Sequence, residues 1–375
     1  MMKIVFDTNV IFKDWFFKTP NMELLKKYLD SSDSKLVIPK IVLAEVLNKY
    51  KESVYEKLNL AKKLNGLLLE SQKIELPDIE NISNNYRTYL EKVIKEFKVE
   101  QPDHSEIPHN DIIQRDLSRR RPFQVSGKGY RDTLLWEVIV REIASAETKT
   151  YFISDNWNDF GNKDKNKLHE HLQEDLKNNG LSIDSVILLY NLSDFIEKFV
   201  KPSMKAITDL TKGHYKSFDF YNWFKDNREK IGIEIDKYLE SIFPDLEGPS
   251  VAYVEDPKEI EIFNIYILDE NRVLIESNVN VDVNLDVFVF KNDYVWLSDK
   301  YDFSIWDNDW NKHYMWTQLF VNLPISVNLI FNINNQKVEN FEVAVQEIYG
   351  FCPHCSAPIL SDAAEACSKC GKPFF

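Results

Sequence analysis

The chain opens with short apolar runs that end in polar or turn-forming residues. Lys3-Ile4-Val5-Phe6 stops at Asp7-Thr8-Asn9, and Leu36-Val37-Ile38 stops at Pro39; both patterns predict buried strands. Between them, Met22, Leu25, Tyr28 and Leu29 recur at helical spacing within Asn21 to Asp30. Strand, helix, strand in that order predicts a parallel sheet. Pro39, suited to a first helical position, opens a helix carrying Ile41, Val42, Val46 and Leu47, and a charged helical stretch follows from about Tyr50 to Phe97. Pro102 and Pro108 mark a loop. Gly127-Lys128-Gly129 then breaks the chain before a helix expected from Tyr130 to Glu147. Tyr151-Phe152-Ile153-Ser154 and Val186-Ile187-Leu188-Leu189 read as a third and fourth strand, with a helix ending near Gly180 between them. The expectation is an α/β domain, a parallel sheet flanked by helices, running to about Pro202.

Residues from about Ser203 to Phe243 pattern as helical, with Trp223, Phe224, Ile231, Ile235, Leu239 and Ile242 as the buried set. Glu247-Gly248-Pro249-Ser250 is the expected linker that closes this connector (203–248). Beyond it the period changes to two: Val279, Val281, Val283, Leu285, Val287 and Val289 alternate with Asn280, Asp282, Asn284, Asp286, Phe288 and Phe290. Such alternation belongs to a strand with one wet face. Asn292-Asp293, Asn308-Asp309 and Asn334-Asn335 supply turns, so 251–348 is expected to be an antiparallel β-meander or small sandwich.

Composition narrows the class. The 375 residues hold 44% hydrophobic and 28% charged side chains with 10 Gly and 14 Pro, which excludes collagen-like and mostly disordered chains. Asp7, Lys13 and Asp14 interrupt any secretory apolar core, and no stretch is apolar enough to span a bilayer. All four cysteines fall between Cys352 and Cys370 rather than forming a distributed disulfide framework, so a reducing, cytoplasmic setting is expected.

The formal net charge of −14 argues at first against a polyanionic partner, but its distribution is uneven. Pro249 to Tyr349 contains 17 Asp and Glu against 6 Lys and Arg. Asp111 to Arg131 is basic instead, with Arg115, Arg119, Arg120, Arg121, Lys128 and Arg131 set against Asp111 and Asp116. A basic patch of this kind fits a phosphate backbone, and equally a solvated face.

In a parallel α/β sheet, functional groups gather at the carboxyl ends of the strands. Asp7 and Asp155 each follow a strand-like run, Asp132 lies in the first turn of a helix that leads into the Tyr151 strand, and Glu45 lies in the second turn of the helix leaving the Leu36 strand. Singly, each has an ordinary explanation as a turn former, helix-end residue, cap or solvated side chain. As a set they predict four acids converging without an equal number of cations, which cannot all ionise unless something neutralises them. A divalent ion with hard oxygen ligands, Mg²⁺ or Mn²⁺, would do so, and the matching reaction is metal-assisted phosphodiester hydrolysis.

These residues resemble the PIN-domain nucleases. The resemblance rests on Ile4-Val5-Phe6-Asp7-Thr8-Asn9, Pro39 through Glu45, Gly129-Tyr130-Arg131-Asp132, and Ile153-Ser154-Asp155-Asn156 with Asp159-Phe160, and it covers roughly residues 1–200. It implies that Asp7, Glu45, Asp132 and Asp155 bind Mg²⁺ or Mn²⁺ and cleave RNA, with Asn9, Asn156 and Asp159 in supporting places. The long gap between Glu45 and Asp132 departs from small toxin-type members and implies a helical insertion at about 50–128. Arg119, Arg120, Arg121, Lys128 and Arg131 are the expected grip on RNA phosphates. A haloacid-dehalogenase-type phosphatase also uses a strand ending in Asp, but its second acid would fall at Asn9. A non-catalytic adaptor that uses an inert PIN fold stays open as the alternative.

At the C-terminus, Cys352-Pro353-His354-Cys355 and Cys367-Ser368-Lys369-Cys370 form two C-x₂-C knuckles. Four thiolates complete a tetrahedral Zn²⁺ shell, so 350–375 is similar to a structural zinc ribbon, with His354 as a loop residue. The acidic β-region is ill suited to grip RNA. It, or the ribbon, is the expected contact with a protein partner, or a shield for the site.

Overall fold

The computed structural model describes residues 2–124, 126–144, 148–164, 167–204, 206–207, 214–215, 218–352, 358–360, 366 and 371–373. It divides into two compact units, Met1–Ser203 and Met204–Phe375.

The first unit is built on a four-stranded parallel sheet ordered β2-β1-β3-β4, with β1 Met2–Phe6, β2 Lys35–Val37, β3 Lys149–Ile153 and β4 Val186–Leu189. The apolar runs form these strands because both sheet faces are covered: Ile4, Val5, Phe6, Leu36, Val37, Phe152 and Ile153 are all buried. Helices α1 Thr8–Lys13 and α2 Pro20–Ser31 connect β1 to β2. Helix α3, Lys40–Asn65, starts one residue after Pro39, which caps it rather than occupying its first turn. The charged stretch expected from about Tyr50 begins inside α3 and is interrupted after Asn65, and α4 resumes over Ile79–Glu96. Then come α5 His109–Leu117 and α6 Tyr130–Val138, the latter continued by a π-helical turn, Ile139–Ile143. Residues 145–147, expected to end this helix, lie outside the described residues. Short α7 Trp157–Phe160 and α8 Glu170–Asn178 precede β4, and α9 Leu192–Phe195 follows it.

The second unit begins with two-residue strands, β5 Ala206–Ile207, β6 His214–Tyr215 and β7 Phe218–Asp219, where helix was expected. Helices α10 Phe220–Asp226 and α11 Arg228–Ile242 follow. They are no free connector. Phe220, Phe224, Ile231, Ile235 and Leu239 share one core with the sheet strands β8 Ser250–Val254, β9 Glu259–Ile267 and β10 Arg272–Phe290. Gly232 permits the close approach of α11 to β8, since a Cβ there would come within 3.2 Å of Val251.

After α12 Tyr294–Lys300, strands β11 Phe303–Asp307, β12 Tyr314–Asn332 and β13 Lys337–Val345 complete a seven-stranded antiparallel sheet, in which β10 and β12 pair along their whole length from Arg272↔Asn332 to Phe290↔Tyr314. The valine alternation is realised as read, with Val279, Val281, Val283, Leu285, Val287 and Val289 buried and the even positions between them only partly so. A small antiparallel pair, β14 Gly350–Phe351 and β15 Pro358–Ile359, lies where a zinc ribbon was expected. Cys352 is buried beside it, and Cys355, Cys367 and Cys370 lie outside the described residues. Among the described residues, no helix is long and apolar enough to cross a membrane.

Candidate active site at the carboxyl edge of the parallel sheet

Strand register decides which acids meet. β1 and β3 pair in parallel with Phe6 opposite Ile153, so the next residues, Asp7 and Ser154, are neighbours. The Ser154 hydroxyl donates to Asp7 Oδ2 at 2.6 Å, Asn9 Nδ2 donates to the same oxygen at 2.9 Å, and the Thr8 amide donates to Oδ1 at 2.6 Å, so Asp7 also caps α1. Even with three donors, burial pushes the Asp7 carboxyl up to about 7, and the charges of Asp132 and Glu45 add to the rise. The desolvation of an almost fully enclosed acid outweighs its hydrogen bonds.

Glu45 comes from the second turn of α3, where the Thr8 hydroxyl donates to its Oε2 at 3.2 Å and Arg131 Nη1 approaches Oε1 to 2.6 Å. Asp132 enters from the first turn of α6. That helix start is fixed by Gly129, whose φ of +119° suits glycine and whose missing Cβ would stand 2.6 Å from Pro122 O. Asp132 is raised to about 6, first by burial and then by Asp159 and Glu45. Asp7, Thr8, Ile41, Val42, Glu45, Arg131, Asp132 and Leu135 line one small cavity of about 10 Å³, room for roughly a single water or ion.

Asp159, given only a supporting place by the sequence, belongs to this group electrostatically. It is buried, and Asn156 Nδ2 bridges Asp159 Oδ2 at 2.8 Å and Asp132 Oδ1 at 3.3 Å. Gln124 Nε2 donates to Asp159 Oδ1 at 2.6 Å, and Arg121 Nη1 lies 3.4 Å from the same oxygen. Asp155 is placed differently. Its carboxylate pairs with Lys13 Nζ at 2.9 Å, while its backbone N–H donates to Asn9 Oδ1 at 3.4 Å.

The basic cluster is drawn largely into internal pairs. Arg119 pairs with Asp116, and Arg120 joins Glu174 at 3.0 Å and Asp175 at 3.1 Å. Arg115 is buried against Glu137, Asp175 and the Arg121 carbonyl, a structural clamp. Arg121 and Arg131 reach the acids themselves, and Lys128 is exposed. Sequence reasoning missed Thr8, Gln124 and Ser154. The last was available from matching the two strand ends, which sets Ser154 beside Asp7 and Asp155 one residue beyond.

Asp7 and Asp132 are raised first by burial and then by neighbouring carboxylates, so an added positive charge beside them would favour their ionised forms. Among the described residues, no group of three or more His, Cys, Asp and Glu side chains stands as a ready-made metal shell. Two of the expected ligands, Glu45 and Asp155, carry cationic side chains as partners instead.

Residues 4–160 match the family model of the PIN domain, a nuclease-related class, which supports an N-terminal PIN domain. No curated protein and no solved structure matches the chain.

Proposed function

We propose that the N-terminal domain hydrolyses RNA phosphodiester bonds as a Mg²⁺- or Mn²⁺-dependent endoribonuclease. The observation that carries this reading is the meeting of Asp7, Glu45 and Asp132 from three separate elements around one small cavity, with Asp159 coupled to Asp132. Asp7, Glu45, Asp132 and Asp159 would hold the ion, Asp159 taking the place first expected of Asp155. When bound, such an ion polarises a phosphate and makes a water more acidic. The protein's own groups do the positioning. Ser154, Asn9 and Thr8 fix Asp7, the Thr8 hydroxyl fixes Glu45, and Asn156 ties Asp132 to Asp159. Arg131 and Lys13, both well exposed and each already beside an acid, stand where they can exchange a carboxylate for a substrate phosphate. The four C-terminal cysteines are proposed to hold a structural zinc, and the acidic β-domain to meet a protein partner.

The pairing of Glu45 and Asp155 with cations also favours a second reading, an inert fold that binds RNA or protein without cutting. Incubation of purified protein with mixed RNA and Mn²⁺, beside the Asp132→Asn variant, separates the two. Cleavage by the wild type alone supports the nuclease. Equal RNA loss in both proteins, or none in either, refutes it.

A further inference from the structure

The even-numbered face of the β10–β12 pair carries an aromatic group that stays partly in water. Phe288 on β10 faces Trp316 on β12, with ring centroids 6.3 Å apart. Trp310, from the turn before β12, lies 5.4 Å from Phe288 and 5.3 Å from Trp316, and Trp306 on β11 lies 6.0 Å from Trp316. Trp316 is anchored, its indole N–H donating to Asp286 Oδ1 at 2.9 Å. The other two are not buried by the cluster they complete: Trp306 is 65% exposed and Trp310 50%. Large indoles left in water in one group mark an interaction surface rather than a core.

Charge identifies the occupant. Each of these two tryptophans has a carboxylate beside it in sequence, Asp307 after Trp306 and Asp309 before Trp310. Asp309 pairs with Lys291 at 3.2 Å but stays 93% exposed, and Asp286, on the same sheet face, accepts from Trp316 and Gln318. From Asp282 to Lys312 there are seven acids and three bases. An indole face attracts a cation through its quadrupole, and Arg can stack on the ring while pairing with a neighbouring carboxylate. A nucleic acid could stack on the rings but would bring phosphates into a negative field. A second copy of the same face would repel it.

We propose that the Trp306–Trp310–Trp316 face docks an arginine- or lysine-rich segment of a partner protein. This is independent of the acidic pocket in the first unit and of whether that pocket cuts RNA. The test is titration of the full-length chain with a labelled oligoarginine peptide at moderate salt, read by anisotropy and by tryptophan fluorescence. The expected result is saturable binding that weakens about tenfold or more in a Trp306→Ala/Trp310→Ala variant of unchanged charge, and persists in Trp306→Phe/Trp310→Phe. Circular dichroism of both variants is the control and is expected to match that of the unaltered chain. The proposal is overturned by equal affinity in the alanine variant, which would reduce the binding to bulk charge, or by no peptide binding. It is also overturned if a single-stranded oligonucleotide, a neutral oligosaccharide or a second copy of the chain binds through the same tryptophans in place of the peptide.

Discussion

Arg131 Nη1 lies 2.6 Å from Glu45 Oε1, so the residue beside Asp132 in sequence supplies the cation lining the acidic cavity. A side chain in that position competes with a metal for the same carboxylate. Arg131→Ala is therefore expected to tighten Mn²⁺ binding severalfold in calorimetry. Weaker metal binding in the variant would show that the arginine supports the acids rather than opposing a second cation.

Asp159 and Asp155 sit in different surroundings. Asp159 raises Asp132 and shares Asn156 with it, while Asp155 pairs with Lys13 near the rim. Asp159→Asn should lower the rate of Mn²⁺-dependent RNA cleavage at least tenfold more than Asp155→Asn. Initial rates under saturating metal decide it; the reverse order would return Asp155 to the ligand set.

Protonation of Asp7 links the site to stability. The folded, metal-free protein holds a proton on Asp7 up to about pH 7, whereas an exposed carboxyl releases it near 3.8. Between those values the folded state binds more protons than the unfolded one, so stability falls as pH rises from about 4 to about 7 and then levels. The loss is about 4 kcal/mol at most, and Asp132, raised to about 6, adds a smaller loss in the same direction. Urea unfolding with chelator present at pH 5 and pH 8 should show it. Asp7→Asn should flatten the slope, and added Mn²⁺ should restore stability at the higher pH.

Gly129 sets the start of α6. An alanine there combines a left-handed φ with a Cβ 2.6 Å from Pro122 O, so backbone must move. Gly129→Ala is expected to cost about 1–3 kcal/mol, visible as a lowered melting temperature, and to weaken metal binding by displacing Asp132. An unchanged melt would mean that the loop before α6 yields freely.

How far the sequence could be read follows from how local each signal is. The four strands of the first sheet stood out because parallel strands buried on both faces must be continuously apolar, and the alternation from Val279 to Val289 stood out because one face of β10 is wet. Carboxylates at strand ends and helix starts were visible for the same reason. Of the helix expected from about Ser203 to Phe243, the described residues before Phe220 form two-residue strands instead, and the helices after them are held by contacts with strands far along the chain. Local periodicity carries no record of such contacts.

The amino-acid order alone determined the parallel sheet, the antiparallel sheet and the positions of Asp7, Glu45 and Asp132, because burial on one or two faces writes its period directly into the residues. Tertiary structure decided the rest. The pairing of Phe6 with Ile153 put Ser154, and not Asp155, against Asp7, and folding of the 119–131 region turned a run of arginines into partners for Asp175, Asp159 and Glu45. A charge read along the chain has no partner until the fold supplies one, and the balance between desolvation and that partner fixes what the side chain can do.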